Sequence, residues 1–413
     1  MLIKNIKSLL QVREAKSALR GAELDRLPKI DHAYLLIKDG RIAEFGTMDK
    51  CPTVGDYSKV IDANGKYVLP TWVDSHTHLV FAKSREEEFE MRIKGSSYEE
   101  IAKAGGGILN SAEKLRITSE EDLLENAKIR LEEVISMGTG AIEIKSGYGL
   151  ETGAELKMLR VIKALKEYSP IPIRSTFLGA HTFPKHYKED HQGYIKEIIE
   201  EMLPAIAKEG LADYIDVFCE KVAFSTEESR QIIKAGAEYG LKAKVHSNQF
   251  NSMGGVEMCI EENALSIDHL EVVNDEEASL LAKAPIISTL LPSAPFFLSD
   301  PYQPARKLID AGAAVALATD YNPGSSPSGN MNFTVALACI KLGMSPDEAI
   351  NSATVNGAFA LEMENDLGQI KVGGLANLII TKEISSPAFI PYSFGNPAIE
   401  QVIINGKVHH HVA

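Results

Sequence analysis

Alternating apolar and polar residues mark both ends of the chain. Near the N-terminus, HAYLLIKDGRIAEFG alternates around Asp39-Gly40, and VIDANGKYVLP alternates around Asn64-Gly65. The C-terminal segments GQIKVGGLANLIITKE and IEQVIINGKVHHH follow the same pattern, the latter around Asn405-Gly406. Period-two alternation interrupted by Asp-Gly or Asn-Gly is typical of β-hairpins. The pattern therefore predicts one small β-sandwich domain assembled from both termini, residues 1–69 and 356–413.

The middle of the chain has a different rhythm, in which β-rich apolar runs are followed by amphipathic helical runs. GAIEIKSGYG precedes ETGAELKMLRVIKALKEY, and IPIRSTFLGAH, ADYIDVFCE and LKAKVHS each precede a helical segment. Further strands are predicted in LPTWVDSHTHL before them and in ALSIDHLE, APIISTLLP and AAVALATDYNPG after them. About eight strand–helix units favour an α/β fold with a TIM-like (β/α)8 barrel over residues 70–355, rather than an open doubly wound sheet.

The net charge limits the kinds of binding partner, and the number and spacing of the cysteines indicate the cellular compartment. The formal net charge of -14 disfavours nucleic acid and anionic membranes as partners, and an anionic substrate would need a local cationic anchor. Four scattered cysteines without a CxxC pair indicate buried thiols of a reducing compartment. The sequence shows no signal peptide and no membrane-spanning segment. We therefore expect a cytoplasmic protein, and a homodimer as the commonest symmetric assembly.

Histidines and one aspartate stand at the ends of predicted barrel strands. His76 and His78 are two residues apart, so in extended chain both imidazoles face the same side and can bind one metal. An HxH pair is also common in packing or on surfaces, but the strand end favours the metal site. His246 ends LKAKVHS and Asp320 ends AVALATD. Together these four residues predict a site for Zn²⁺ or iron (Fe²⁺/Fe³⁺).

Asp320 is also the predicted general base, because a metal-ligating carboxylate can accept a proton from a bound water. The alternative role is a helix N-cap, and D-Y-N-P-G-S predicts a tight turn at the same place. His181 ends STFLGAH and His269 lies in SIDHLE. Either can be structural, or can polarise a scissile carbonyl and stabilise the oxyanion. The sequence leaves open which one does so.

His181 is assigned to the end of the fourth barrel strand. No lysine stands there, so a modified lysine bridging two metals is not supported, and we expect one metal per chain. Arg85 is either part of a solvated charge run with Glu86–Glu88 or the bidentate anchor for a substrate carboxylate. Tyr148, in the glycine-flanked KSGYGL loop, is a weaker candidate for a ligand contact.

The segments VDSHTHLVFAKSREEEFEMR, FLGAHTFP, VHSNQF, IDHLE and LPSAPFFL resemble the amidohydrolase superfamily. The narrower segments SREEEFE, KSGYGL and DYNPGS resemble its members that open an imidazolone ring. This resemblance implies hydrolysis of 4-imidazolone-5-propanoate to N-formimidoyl-L-glutamate in histidine degradation, by a metal-activated water that attacks the ring amide carbonyl. It implies metal ligation by His76, His78, His246 and Asp320, and catalytic roles for Asp320, His269 and His181. The substrate and product contacts that it implies are Arg85, Tyr148, His181, Gln249, Asn322, Gly324 and Ser325.

The sequence departs from the family pattern at two positions. Gln249 stands where members carry Glu, and a neutral amide cannot act as a base, so we assign the base to Asp320 and a hydrogen bond to Gln249. Asn377 stands where amidohydrolases more often have Asp, and we expect it to affect a turn rather than the chemistry.

Two alternative functions stay open. The first is another cyclic amidohydrolase or a deaminase, although Arg85 favours a carboxylate-bearing ring. The second is a catalytically inactive barrel that acts as a binding protein.

Overall fold

The computed structural model describes residues 1–53, 59–96, 100 and 106–411. In chain order the strands are β1 Leu2–Leu10, β2 Lys29–Lys38, β3 Arg41–Thr47, β4 Val60–Asp62, β5 Lys66–Pro70, β6 Trp72–Asp74, β7 Thr139–Lys145, β8 Ile173–Ala180, β9 Tyr214–Cys219, β10 Lys242–Ser247, β11 Ser266–His269, β12 Ile287–Leu290, β13 Ala314–Leu317, β14 Leu378–Glu383, β15 Ile399–Ile404 and β16 Lys407–His411.

The described helices are α1 Glu86–Ile93, α2 Ile108–Ile117, α3 Glu120–Ser136, α4 Thr152–Tyr168, α5 His191–Glu197, α6 Leu203–Glu209, α7 Thr226–Glu238, α8 Gly255–Glu261, α9 Asp275–Lys283, α10 Ser293–Leu298, α11 Ala305–Ala311, α12 Met331–Ile340, α13 Pro346–Asn351, α14 Gly357–Ala360 and α15 Phe389–Tyr392. Short 3₁₀ turns lie at Gly21–Glu23, Met48–Lys50 and Lys185–Tyr187, and π-helical turns lie at Ile198–Met202 and Ser352–Asn356.

Strands β6 to β13 form an eight-stranded sheet in which each strand pairs in parallel with the next along the chain. Just past the ends of β6 and β13, the backbone N–H of His78 donates to the oxygen of Tyr321 at 2.8 Å. The N–H of Asp320 donates to the oxygen of His76 at 3.0 Å. The barrel therefore closes between its first and last strands, and the predicted (β/α)8 architecture is confirmed.

Helix α3 illustrates why the helical segments cover the barrel. Ser119 caps its first turn by accepting from the N–H of Asp122, and acidic residues in that turn suit the helix dipole. Its buried side chains recur at helical spacing, so one face packs inward. They are Leu123, Ala127, Leu131, Val134 and Ile135. The helices pack around the barrel sheet, and the candidate site lies at the C-terminal rim of that sheet.

Strands from both ends of the chain form the second sheet, in the order β16-β15-β14-β5-β1-β2-β3, with β4 beside β1. The sheet is mixed, because β1 pairs antiparallel with β2 and parallel with β5. It has an apolar cluster of its own, which includes Ile6, Leu35 and Ile380. The alternation at the two termini therefore does produce one small β unit beside the barrel.

Two of the four predicted hairpins form, whereas the one expected in GQIKVGGLANLIITKE is wrong because its strand, β14, pairs with β5 and β15. Asp39-Gly40 joins antiparallel β2 and β3, and Asn405-Gly406 joins antiparallel β15 and β16. All four residues have positive φ, as a type I′ turn requires. The hairpin expected at Asn64-Gly65 is wrong. Strands β4 and β5 both run parallel to β1, so that turn joins two segments that pair with the same neighbour.

Asn377 connects the two sheets. Its Nδ2 donates to the backbone oxygen of Gly140 in β7 at 3.0 Å, and its Oδ1 accepts from the N–H of Asn405 at 2.8 Å. An amide can donate and accept at once, whereas an ionised carboxylate can only accept. Asn377 therefore contacts the turn at Asn405-Gly406, as expected.

All four cysteines are unpaired, and two of them, Cys219 and Cys259, are buried. Over the ranges that the structure describes, the helices include none that combines the length and the apolar character needed to cross a membrane.

Candidate active site

The four predicted metal ligands converge at the C-terminal mouth of the barrel. Nε2 of His76 lies 3.1 Å from Nε2 of His246, which in turn lies 3.3 Å from Nε2 of His78. Oδ1 of Asp320 is 3.6 Å from Nε2 of His76 and 3.7 Å from Nε2 of His78. The four side chains are buried. Three imidazole nitrogens and one carboxylate oxygen therefore face a common centre.

Two aspartates that sequence analysis did not single out orient these imidazoles. Nδ1 of His76 lies 2.6 Å from Oδ2 of Asp268, and Nδ1 of His246 lies 2.8 Å from Oδ2 of Asp216. An ionised carboxylate only accepts, so each ring donates from Nδ1 and keeps the Nε2 lone pair for the centre. The available signal was an acidic residue inside the otherwise apolar strands SIDH and YIDVFC.

Lys145, at the end of β7, joins the two aspartates. Its Nζ lies 2.9 Å from Oδ2 of Asp216, 3.8 Å from Oδ2 of Asp268 and 2.8 Å from Oε1 of Glu143. Burial opposes the charge, but the three carboxylates outweigh it and raise the pKa of Lys145. A buried cation thus balances the carboxylates that hold His76 and His246.

The charge states at this centre suit a divalent cation. Burial, followed by the neighbouring basic groups, lowers the pKa values of His76, His78 and His246 well below the usual range. Neutral imidazoles whose lone pairs point at one another repel unless a cation lies between them. Three nitrogens and one carboxylate oxygen match the donors that zinc and iron accept. The residues present therefore fit a metal of this kind.

Asp320 lies in a tight turn, with φ at 55°. Ser325 Oγ donates to its Oδ2 at 3.3 Å, and Asn322 Nδ2 donates to its backbone oxygen at 2.7 Å. Asn322 Oδ1 in turn accepts from the N–H groups of Gly324 and Ser325, both at 2.8 Å. Burial raises the pKa of Asp320 to about 6. The tight turn is confirmed, and the helix N-cap alternative is wrong because Asn330 caps the next helix, α12.

Arg85 lies in a pocket near this turn. Its Nε donates to Ser111 Oγ at 2.9 Å, and its guanidinium carbon lies 5.8 Å from the centre of the Tyr148 ring. Its Nη1 lies 3.9 Å from Oε2 of Glu88. The side chain is 9% exposed, so its remaining N–H groups can donate hydrogen bonds to a ligand in a pocket that is shielded from bulk water. Glu88 is buried as well, and the interpretation of Glu86–Glu88 as a solvated run is wrong for this residue.

The KSGYGL loop is held by the buried carboxylate of Glu155. That carboxylate accepts from the N–H groups of Gly147, Gly149 and Leu150 at 3.1, 2.7 and 3.0 Å. A side chain at Gly149 would overlap the helix that carries Glu155, since its Cβ would lie 2.3 Å from the backbone nitrogen of Glu155. The loop is therefore rigid, and it places Tyr148 beside His78, with ring centres 5.9 Å apart.

His181 follows β8, the third strand of the barrel, so its assignment to the fourth strand is wrong. The fourth strand, β9, ends beside Glu220, whose carboxylate accepts from the N–H groups of Phe250 and Asn251. Nδ1 of His181 lies 2.9 Å from the carbonyl oxygen of Gly147 and donates to it, which leaves Nε2 free. Burial lowers the pKa of His181 to about 4. Its ring stacks on that of His78, with centres 5.3 Å apart.

His269 is the last residue of β11, and Gln249 follows the end of β10. Ligand-type atoms of His269, His76 and His246 all lie within 4.8 Å of one another. Burial acts against protonation of His269, but the carboxylates of Glu271, Asp320 and Asp268 raise its pKa to about 9. Gln249 lines a cavity of about 150 Å³. The other lining residues are Phe250, Glu271, Val272, Pro295, Leu298, Asp300 and Pro301.

The chain resembles known proteins along nearly its full length. The family model "Amidohydrolase family" matches residues 67–409. The chain is 58% identical over 408 residues to imidazolonepropionase of Flavobacterium johnsoniae, covering 98% of this chain and 99% of the relative. It is 56% identical over 409 residues to imidazolonepropionase of Christiangramia forsetii, covering 99% of both chains.

Solved structures show the same fold at low sequence identity. A triazine hydrolase variant is similar over 100% of this chain and 95% of its own, with a TM-score of 0.76 and 16% identity. At this identity the similarity concerns the architecture alone.

Proposed function

The chain belongs to the amidohydrolase family, and we propose that it hydrolyses 4-imidazolone-5-propanoate to N-formimidoyl-L-glutamate, a step of histidine degradation. It is thus a hydrolase that acts on a cyclic amide bond. The near-full-length identity to relatives named imidazolonepropionase carries this conclusion. The proposal for the individual residues rests on the geometry of the site.

Arg85 is proposed to bind the propanoate of the substrate. A guanidinium pairs with a carboxylate through parallel hydrogen bonds, and shielding from water strengthens them. Tyr148 and Ser325 hold the polar groups next to it, and Asn322 and Gly324 contact the product. Gln249, which lines the cavity beside Glu271, is proposed to form a hydrogen bond with the imidazolone ring of the substrate. A neutral ring without a carboxylate would offer no acceptor to the Arg85 N–H groups that Ser111 does not bind, which disfavours it as a substrate.

The chemistry assigned to the chain is one addition and one bond cleavage. Water adds through its oxygen to the carbonyl carbon of the ring, and Asp320 accepts its proton. The bond between that carbon and the ring nitrogen then breaks, and the nitrogen takes up the proton. His269 faces the carbonyl oxygen and stabilises the negative charge that develops there. His181 donates from Nδ1 to Gly147, so its Nε2 is assigned to accept a hydrogen bond from a ring N–H group of the substrate. Asp320 suits the role of base because its Oδ1 lies 3.6 and 3.7 Å from Nε2 of His76 and His78, at the centre that the attacking water would reach.

The metal of this family is proposed to be one ion per chain, Zn²⁺ or iron (Fe²⁺/Fe³⁺), held by His76, His78, His246 and Asp320. When bound, it supplies a Lewis acid that lowers the pKa of water and polarises a carbonyl group. The choice of one ion rests on the two groups of ligand atoms found among the described residues, because both groups include His76 and so surround one centre. Elemental analysis of purified protein tests the number and kind of metal.

An absorbance assay tests the proposed activity. The absorbance of 4-imidazolone-5-propanoate is followed after the enzyme is added. Hydantoin, guanine and cytosine, which represent substrates of cyclic amidases and deaminases, are tested in separate reactions. Turnover of imidazolone propanoate, with none of the other three, supports the proposal. Turnover of a neutral base instead would contradict both the substrate and the role of Arg85.

The enzyme is proposed to be cytoplasmic and to act as a homodimer on a small anionic substrate. The four unpaired cysteines suit a reducing compartment. A net charge of -14 opposes binding to nucleic acid or anionic membranes. Light scattering on the purified protein tests the dimer.

A further inference from the structure

Glu271 is a buried acid beside the site to which the proposed reaction assigns no role. Its side chain is only 5% exposed. Oε1 lies 3.4 Å from Nδ1 of His269 and accepts from Gln303 Nε2 at 2.8 Å. Oε2 is buried, and no hydrogen-bond partner for it lies among the described residues. An acid in this position is costly unless a neighbouring group compensates its charge.

The backbone between His269 and Glu271 is strained in a way that brings the two side chains together. His269 has φ at 88° and Leu270 has φ at 64°, two consecutive non-glycine residues in the left-handed region. Each costs free energy, and such strain persists where the surrounding structure holds it. Two backbone hydrogen bonds hold it here, from the N–H of Leu270 to Ser247 and from the N–H of Val272 to Asn248.

We propose that Glu271 is the positioning residue of His269. Its carboxylate accepts a hydrogen bond from the Nδ1–H of the imidazole, so that Nε2 is turned toward the cluster of His76 and His246. The side-chain amide of Gln303 donates a second hydrogen bond to the same carboxylate and fixes its position. The separation of 3.4 Å is at the long end for a hydrogen bond, and a shift of a few tenths of an ångström makes it a charge-assisted bond.

Glu271 lines the same cavity as Gln249 and Asp300, and it is in contact with His269. Gln249 is neutral there, and Asp300 is a separate acid whose pKa is raised by burial. The carboxylate of Glu271 thus lies within hydrogen-bond distance of the His269 ring. The inference rests on the proposed role of His269 at the ring carbonyl, but the orientation of the ring can be measured without substrate.

The test compares Glu271→Gln, which keeps the shape and removes the charge, with Glu271→Asp, which keeps the charge. Glu276→Gln, an exposed acid in the next helix, is the matched control. We expect Glu271→Gln to lower kcat roughly 10–100-fold with little change in KM, Glu271→Asp to recover part of it, and the control to match wild type. An unchanged kcat, or a loss that appears in KM alone, would overturn the proposal.

Nitrogen-15 NMR of labelled histidines in the metal-loaded protein gives a readout independent of turnover. In wild type the His269 signal should show a proton on Nδ1, and Glu271→Gln should shift that signal while those of His76 and His246 stay in place. A His269 signal that is the same in both proteins would refute the role of Glu271. Wild type that shows the Nδ1 proton but does not turn over imidazolone propanoate would instead contradict the proposed function.

Discussion

Gly324 lies directly against Arg85. A Cβ at position 324 would come within 2.3 Å of Nη1 of Arg85, closer than any side chain could stay without movement. Glycine at this position therefore lets the guanidinium occupy its pocket between Tyr148 and the turn that carries Asp320. Because the overlapping atom is the end of a flexible side chain, a substitution would displace the arginine rather than unfold the loop.

Gly324→Ala should therefore weaken substrate binding. We expect KM for imidazolone propanoate to rise roughly tenfold, as expected from loss of one charged hydrogen bond, with kcat changed much less. Steady-state kinetics measures both. Gly153→Ala is the control, because a Cβ there meets nothing within 4 Å. A lower kcat with unchanged KM would show that the loop acts on the chemistry instead.

Asp320→Asn should remove both a metal ligand and the proposed base. An amide cannot take a proton at neutral pH, so we expect turnover to fall at least about 1000-fold, with less bound metal after dialysis. Activity and metal content are measured on the same sample. Asp310→Asn, at an exposed helix position, should retain both. Full activity of the Asp320 variant, or of metal-stripped wild type, would rule out the mechanism.

Lys145→Met should destabilise the barrel interior. Removal of the cation leaves the buried Asp216 without the ammonium that lies 2.9 Å away, whereas Glu143 keeps Lys244 at 3.3 Å. Loss of one partner of a buried ion pair typically costs about 3–5 kcal/mol. Denaturation in urea measures the free energy of unfolding, with and without added Zn²⁺. Lys94→Met removes an exposed surface ion pair and should cost less than about 1 kcal/mol. Equal stability of the two variants would show that Lys145 does not balance the aspartates.

Asp213 should contribute stability that depends on pH. Burial opposes its ionisation, but hydrogen bonds from Lys166 and Ser175 prevail and lower its pKa below 3.8. The folded state thus favours the ionised form. Its contribution is present above the unfolded value of 3.8 and is lost as the pH falls through the lower folded pKa.

Asp213→Asn should accordingly lower the free energy of unfolding at pH 7 by about 1–2 kcal/mol, with a smaller difference from wild type near pH 3. Urea denaturation at several pH values gives the two curves. A difference that grows on acidification would contradict the direction of the pKa shift.

Much of the fold followed from local pattern. Alternation with Asp39-Gly40 and Asn405-Gly406 predicted hairpins, because a two-residue turn fixes its own strand pairing. Asn64-Gly65 carries the same local signal, yet β4 and β5 both pair with β1. A turn dipeptide specifies a reversal or bend, but only the long-range neighbours decide which strands it joins. Likewise, His181 was assigned one strand too late because strand count depends on every unit before it.

The metal-site candidates were visible because their chemistry is carried by residue type and strand-end position. His76, His78, His246 and Asp320 could be named from the sequence, since parallel strands of a barrel end at one rim. What the sequence determined was therefore which residues could meet. Tertiary structure decided how they meet. Asp268, Asp216 and Lys145 come from three different strands, and their mutual distances exist only after the barrel closes.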